Sequence, residues 1–179
     1  RKVNDADHGP KYLNSPETNL FKKSFELYGL CEIKKYNLDQ LLVVEGYMDV
    51  ISLAEHGINN AVATSGTAVN SQHIKTLIKH SQNITFCFDG DNAGKRAAWK
   101  ALVQILPIMD SGIEVFFMFL PEKEDPDSIL KQGGKESFLK HLQNKKSATD
   151  FFFNNLLPNS ITQKNDIASK SKATKLALE

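Results

Sequence analysis

The stretch Leu41-Leu42-Val43-Val44-Glu45-Gly46 decides the fold. Its first four residues are apolar, which is typical of a strand that is buried on both faces. A helical pattern follows from Tyr47 to His56, and Gly57 is placed to end that helix. A buried strand that leads directly into an amphipathic helix is the first half of a βαβ unit, and it predicts a parallel sheet.

The same alternation continues along the chain. Three further strands are predicted at 61–64, 84–88 and 114–120, with helices at about 71–78 and 93–109 between them. Regular alternation of this kind predicts an α/β fold, with right-handed crossovers and helices on both faces of the sheet.

The two ends of the chain differ from this middle part. Residues 1–40 contain an irregular stretch and then a predicted helix at about 20–35. Residues 131–179 continue a series of short predicted helices at about 127–132, 135–143 and 151–157, before a polar tail. We expect three parts, 1–40, 41–130 and 131–179, the last being a helical extension. The chain begins without methionine and stops within a helical pattern, so we expect a piece of a larger protein.

The composition is that of a soluble globular chain. Of 179 residues, 41% are hydrophobic and 24% are charged, and no apolar run approaches the ~18 residues of a membrane span. Two cysteines, Cys31 and Cys87, are too few for a disulfide framework or a structural zinc site, which favours a reducing cytoplasm. The net charge of +1 divides into +1 for 1–40, −5 for 41–130 and +5 for 131–179, so the middle part is acidic.

Acidic residues follow the predicted strands. Glu45 ends the first strand, Asp89 and Asp91 follow the third, and Asp125 and Asp127 follow the fourth. The carboxyl ends of parallel strands share one edge of the sheet, so these side chains should converge there. Two carboxylates ~4.5 Å apart repel by about 4 kcal/mol at an effective dielectric constant near 20. Protonation or a hard cation relieves that repulsion, and oxygen ligands alone favour Mg²⁺ or Mn²⁺ over zinc.

The segment 89–95 must be distinguished from other loops. An EF-hand would need a carboxylate at its twelfth position, where Lys100 stands. A P-loop would need four residues between its glycines and a Ser or Thr after the lysine, but only three separate Gly90 from Gly94, and Arg96 follows Lys95. An aspartyl-phosphate phosphatase, or a surface turn with helix-capping acids, stays open from the loop alone. After the second strand, Gly66 and Thr67 are expected to form a simple turn rather than a phosphate contact.

Glu45 at one strand end and an Asp-x-Asp motif at another are similar to the Toprim domain of bacterial primases, topoisomerases and some nucleases. The chain resembles the bacterial replicative DNA primases in four motifs that agree in order and spacing. These are the stretches 10–18, 45–50 and 89–94, and 119–121 ahead of 124–127. The resemblance covers approximately residues 1–157.

The resemblance implies roles for particular side chains. Glu45, Asp89 and Asp91 would be the catalytic metal ligands, and Glu45 would also be a candidate acid or base. Asp49, Asp125 and Asp127 would complete the acidic cluster, although Asp49 is equally expected as an N-terminal acid of its helix. Nucleotide and template would be bound by Arg1, Lys11 and Lys23.

The resemblance also implies the activity and the partners. The chain would belong to the polymerase core of an enzyme that synthesises RNA primers on a single-stranded DNA template from ribonucleoside triphosphates, with Mg²⁺ or Mn²⁺. A zinc-binding domain, the first part of the core and a domain that binds the replicative helicase would lie outside this chain. We therefore expect weak activity of the chain alone, a bacterial cytoplasmic location at the replication fork, and no membrane partner.

Two alternatives remain from the sequence. Another Toprim phosphodiester enzyme is one, although a topoisomerase needs a nucleophilic tyrosine and none of Tyr12, Tyr28, Tyr36 and Tyr47 lies in a cleavage motif. A non-catalytic nucleic-acid-binding module is the other. We expect the aromatic run 151–153 to be core or inter-domain contact rather than a base-stacking platform.

Overall fold

The structure is a computed structural model and describes residues 16–18, 22, 24–35, 38–109 and 112–156. The helices and strands follow one another along the chain in this order: α1 (Leu30–Ile33), β1 (Leu41–Val44), α2 (Tyr47–Glu55), β2 (Ala61–Ala63), α3 (Ser71–Leu77), β3 (Asn83–Phe88), α4 (Asn92–Ile105), a 3-10 turn (Leu106–Ile108), β4 (Glu114–Phe119), α5 (Pro126–Gln143), β5 (Lys146–Ser147) and α6 (Ala148–Leu156). None of the described helices combines the length and apolarity needed to cross a bilayer.

The strands form one sheet in the order β2-β1-β3-β4-β5. The first four are parallel, and Val43 of β1 pairs with Val62 of β2 on one side and Phe86 of β3 on the other. The predicted α/β fold with a parallel sheet is therefore confirmed. The two-residue strand β5, which runs antiparallel to β4, was not predicted.

Both faces of the sheet are covered, as the apolar strands required. Val43, Phe86 and Phe117 face a core shared with α3, α4 and α6, whereas Leu42 and Met118 face a core shared with α2 and α5. In the first core, aromatic rings stack across neighbouring strands, with 5.9 Å between the ring centres of Phe86 and Phe117. Alternation along each strand thus gives two cores, one on each side of the sheet.

The connections define where a ligand can lie. After β1 the chain enters α2 on one face, and after the neighbouring strand β3 it enters α4 on the opposite face. The carboxyl ends of β1 and β3 therefore flank the topological switch point, the usual place of a crevice in such sheets.

Three element boundaries differ from the predictions. Of the helix predicted at 20–35, the described residues contain only α1, because Tyr28 pairs as an extended bridge with Ala63 and Gly29 turns the chain at φ 85°. Helix α4 gives way to a 3-10 turn that contains Pro107, since proline cannot continue an α-helix. The predicted helices 127–132 and 135–143 are the two halves of α5, which breaks at Gly134 with φ 63° and ψ −167°.

The aromatic helix α6 begins at Ala148, three residues before the predicted start. Phe151 is buried, and its ring lies 4.9 Å from that of Phe117 and tilted against it. Phe152 and Phe153 are half-buried, and the ring of Phe152 stacks on Trp99. The expectation that this run belongs to the core is confirmed for Phe151.

Candidate metal centre

Five of the predicted acidic residues come from two strand ends and three helix starts. Glu45 follows β1 directly, and Asp89 follows the neighbouring strand β3 directly. Asp91 caps α4, Asp125 caps α5, and Asp49 lies in the first turn of α2. The sixth residue, Asp127, lies in the first turn of α5. The structure therefore brings all six to the carboxyl edge of the sheet.

Glu45 and Asp89 interact through their charges. Partial burial raises the pKa of Glu45, and the negative charges of Asp89 and Asp91 raise it further. The pKa of Asp89 is also raised, first by burial and then by Asp91 and Asp125. Among the described residues neither carboxylate has a hydrogen-bond or ion-pair partner. The described residues therefore do not compensate their mutual repulsion, which is the situation a cation relieves.

Asp91 uses one oxygen of its carboxylate as a helix cap and leaves the other out of that bond. Its Oδ1 accepts a hydrogen bond of 2.7 Å from the backbone N–H of Gly94 and so caps α4. The second oxygen takes no part in that bond. Asp91 thus fixes the direction of the 89–91 turn, and it keeps one oxygen for a ligand.

Asp49 lies between the two pairs of aspartates. Its pKa is raised to about 6, chiefly by burial and further by the charges of Asp125, Asp89 and Asp127. The same side chain accepts a bond of 3.1 Å from the backbone N–H of Gly46, so the expected role as a helix N-terminal acid is confirmed. Its role as a metal ligand stays a prediction.

The aspartates of α5 are engaged by their own helix. Asp125 accepts a 2.7 Å bond from the N–H of Ser128, whose hydroxyl accepts one of 2.9 Å from the N–H of Asp125. Asp127 pairs with Lys131, and hydrogen bonds from Lys131 and from Ser52 on α2 lower its pKa. These two carboxylates therefore have protein partners, whereas the described part of the chain offers none to Glu45 and Asp89.

Two glycines that sequence reasoning passed over hold the 89–91 turn in place. A methyl group on Gly90 would overlap the carbonyl oxygen of Leu120, and one on Gly94 would overlap that of Asp89. The N–H of Leu120 also donates to the carbonyl of Phe88 at 3.0 Å. Only glycine permits so close an approach, so the turn is wedged against the end of β4. The available signal was a glycine on each side of Asp91.

The side chains fit a hard divalent ion, although they do not enclose one unaided. In the described part of the chain, no three acidic, histidine or cysteine side chains are placed to hold a metal together. Mg²⁺ is commonly held by one or two carboxylates, with water and substrate phosphates completing its shell, and Glu45 and Asp89 can supply that number. The nearby Cys87 is fully buried, and burial raises the pKa of its thiol well above the usual value, so it remains protonated and is no ligand.

The basic residues proposed for nucleotide and template, Arg1, Lys11 and Lys23, lie outside the described residues. Their place relative to the carboxylates stays a prediction.

The comparisons with known proteins agree with this fold. A family described as Toprim-like matches residues 42–130, and a family described as the N-terminal domain of the DNA primase catalytic core matches residues 1–34. A DNA primase of Legionella pneumophila is 54% identical over 157 residues, which cover 87% of this chain and 27% of the relative. The chain thus spans about a quarter of the length of the curated relatives that it matches.

Solved structures show the same similarity. A primase catalytic domain bound to single-stranded DNA superposes with a TM-score of 0.83 at 44% identity, covering 96% of this chain and 56% of that one. The Escherichia coli primase catalytic core gives the same TM-score and identity, covering 97% of this chain and 55% of that one. These matches favour a primase over another Toprim enzyme or a non-catalytic module. The chain belongs to the bacterial DNA primase family.

Proposed function

We propose that this chain carries the metal-binding part of an enzyme that synthesises RNA primers on single-stranded DNA by nucleotidyl transfer from ribonucleoside triphosphates. The observation that carries the proposal is the pair Glu45 and Asp89 at the topological switch point. Neither carboxylate has a partner among the described residues, and burial and neighbouring charges raise the pKa of each. A polymerase of this kind needs such a pair to hold a cation, because the triphosphate brings negative charge that the cation must neutralise.

Glu45 and Asp89 would hold a divalent ion whose shell is completed by water and phosphate oxygens, with Asp91, Asp49, Asp125 and Asp127 as the surrounding negative charge. When bound, Mg²⁺ or Mn²⁺ would neutralise phosphate charge and lower the pKa of the attacking hydroxyl. Asp125 and Asp127 already have protein partners, so we assign them a supporting role rather than a primary one.

Glu45 is suited to take up a proton from a hydroxyl group. Without a metal its pKa is raised by burial and by the charges of Asp89 and Asp91, and a base works best when its pKa lies nearer the working pH. A bound cation lowers that pKa, so Glu45 would take up the proton when it is not itself a ligand of the ion. Its carboxylate has no partner among the described residues that would compete for the proton. The wedged turn holds Asp89 in a fixed position on the next strand, so the two groups keep their spacing as substrates arrive.

The finer assignments follow from the family resemblance. Residues 1–40 would end the N-terminal part of the core, 41–130 would form the Toprim domain, and 131–179 would begin a helical extension. Arg1, Lys11 and Lys23 would orient phosphates and template. A zinc-binding domain and a helicase-binding domain would lie in parts of the protein outside this chain. The protein would act at the replication fork in the bacterial cytoplasm.

Metal-dependent nucleotide binding tests the proposal. Electron paramagnetic resonance would follow Mn²⁺, and equilibrium dialysis would follow ATP, for the wild-type chain, Glu45→Gln and the control Glu55→Gln, a change of the same type at an exposed position of α2. We expect ATP binding that EDTA abolishes, and an affinity at least about tenfold weaker in Glu45→Gln alone.

Equal Mn²⁺ and ATP affinities in all three proteins would refute the metal assignment. On a single-stranded template we expect this chain alone to prime weakly, and robust primer synthesis by it would show that the remaining parts of the family's proteins are dispensable.

A further inference from the structure

We propose that a cavity beside Glu45 receives the ribose ring of a nucleotide, with the hydroxyl of Thr67 accepting a hydrogen bond from a sugar hydroxyl. The inference rests on the proposed function, because it names the part of the substrate that this side of the site would hold. The cavity has a volume of about 230 Å³ and lies between the loop after β2, the end of β3 and helix α4.

The cavity lies beside the acidic cluster and shares one residue with it. Of the described acidic residues only Glu45 lines it, and the other lining residues are Thr64, Gly66, Thr67, Ala68, Val69, Phe88 and Ala97. Sites that enclose a whole drug-sized ligand usually measure ~300–1,000 Å³. This cavity is smaller, so it fits one ring of a nucleotide and not the whole molecule.

The chemistry of the walls selects a hydrogen-bond donor. Thr67 Oγ1 donates its proton to the carbonyl of Thr64 at 2.8 Å, which leaves the lone pairs of the hydroxyl for a ligand. The Glu45 carboxylate also accepts. A phosphate group offers only acceptors and negative charge, so it is repelled here, whereas the two hydroxyls of a ribose can donate one proton to each of these acceptors. The apolar side chains of Val69, Phe88 and Ala97 provide contact for the carbon face of a ring.

The loop after β2, residues 64–67, is tied by its backbone to the strand that precedes Glu45. Ser65 has φ 54° and Gly66 has φ 80°, so two successive residues occupy the left-handed region, which is unfavourable for serine. The N–H of Gly66 donates to the Glu45 carbonyl at 3.4 Å, and the N–H of Thr64 donates to that of Val44 at 3.3 Å. The loop is therefore fixed to the strand that carries Glu45. The N–H of Thr67 also donates to the Thr64 carbonyl at 3.3 Å, so residues 64–67 form the turn expected from the sequence, with the left-handed pair at its centre.

The test compares ATP with 2′-deoxy-ATP and 3′-deoxy-ATP, each with Mn²⁺, on the wild-type chain and on Thr67→Val. The control Thr76→Val removes a similar hydroxyl, which donates to the carbonyl of Gln72 at 3.0 Å on α3, away from the cavity. We expect the wild-type chain to bind ATP about five- to tenfold more tightly than one of the two deoxy analogues. Thr67→Val should lose that preference and bind ATP about as weakly as the analogue, while Thr67→Ser and Thr76→Val keep it.

A second variant fills the cavity. Ala97→Leu places a larger side chain in it and should weaken ATP binding at least about tenfold, with unchanged affinity for Mn²⁺ alone. If the wild-type chain binds no ATP with Mn²⁺, the proposed function fails together with this inference. If it binds ATP, but Thr67→Val keeps the wild-type preference or Ala97→Leu keeps the wild-type ATP affinity, the ribose cavity is wrong and the proposed function stands.

Discussion

Two turns at the same edge of the sheet carry the same Asp-x-Asp spacing and use it differently. In the 89–91 turn, Asp89 has no partner among the described residues and its pKa is raised. In the 125–127 turn, Asp125 caps α5, and Asp127 pairs with Lys131, which lowers its pKa. The first turn caps α4 with Asp91 and leaves Asp89 without a described partner, whereas both acids of the second turn are engaged by α5. A motif of two acids does not by itself identify a metal ligand.

The residue between the acids accounts for much of this difference. Gly90 lets the backbone of the first turn lie against that of Leu120, and α4 is capped by Asp91, so Asp89 lies outside the helix. Pro126 is buried at the first position of α5, where its fixed φ favours the start of a helix. Asp125 is thereby placed as a cap, and Asp127 lies one helical turn before Lys131.

The largest contrast should come from Asp89→Ala against Asp127→Ala. Asp89→Ala should weaken Mn²⁺ binding about 100-fold, because removing a ligand costs at least as much as the 10–100-fold lost with outer partners. It should not lower the free energy of unfolding, since burial and like charges already disfavour the ionised group. Mn²⁺ titration and urea unfolding measure the two quantities. Equal losses of metal affinity in both variants would make the two turns equivalent.

Gly90→Ala should reduce both stability and metal affinity. The added methyl group overlaps the Leu120 carbonyl, and overpacking of this kind costs roughly 1–3 kcal/mol. The turn must shift to relieve the overlap, so Mn²⁺ affinity should fall about tenfold. Gly112→Ala is the matched control, because its φ of 106° makes alanine unfavourable while nothing lies within 4 Å of the added atom. A stability loss with unchanged Mn²⁺ affinity in Gly90→Ala would show that the wedge is only structural.

Asp49, which lies between the two turns, should make stability depend on pH. Its pKa is about 6 in the folded chain against 3.8 as the ordinary value, so the folded chain keeps a proton that the unfolded chain has lost between pH about 4 and 6. This contribution to stability is full below pH about 4 and is lost as the pH rises through about 6. Asp49→Asn keeps an acceptor for Gly46 and should stabilise the chain by about 1–2 kcal/mol at neutral pH.

Unfolding in urea with EDTA from pH 4 to 8 measures this effect, and the exposed Asp39→Asn serves as its control. Parallel pH profiles for wild type and Asp49→Asn would contradict the assignment.

The smallest effects should separate the two aspartates of α5. Asp125→Ala removes an N-cap and should cost about 1 kcal/mol of unfolding free energy. Asp127→Ala removes an ion pair with an exposed lysine and should cost about 0.5 kcal/mol or less. Thermal unfolding distinguishes them, and Lys131→Met should match Asp127→Ala. If Asp125→Ala weakened Mn²⁺ binding as strongly as Asp89→Ala does, Asp125 would be a metal ligand like Glu45 and Asp89 rather than a helix cap.

The sheet could be predicted because its strands are short apolar runs that end at polar residues. The run 41–44 is β1 to the residue, and the predicted strands 61–64, 84–88 and 114–120 each lie within one residue of β2, β3 and β4. The position of the acids at the carboxyl edge followed from that order, because all four strands are parallel.

Other features depend on contacts between distant residues. The pairing of Tyr28 with Ala63 overrides the helical pattern of 20–35, and the strand β5 has only two residues, too few for a periodic signal. The sequence grouped six acids together. In the structure Ser128 and Lys131 engage Asp125 and Asp127, whereas Glu45 and Asp89 have no partner among the described residues. The overlap that makes glycine necessary at position 90 involves residues thirty positions away.

The borders of the sheet also bear on how the molecule behaves at high concentration. On one side β2 offers three residues, and the backbone of Tyr28 already bonds in both directions with Ala63, at 2.9 and 3.0 Å. On the other side β5 ends the sheet after two residues. Strands this short are poor templates for a strand from another molecule, so the two described edges of the sheet disfavour edge-to-edge pairing between molecules.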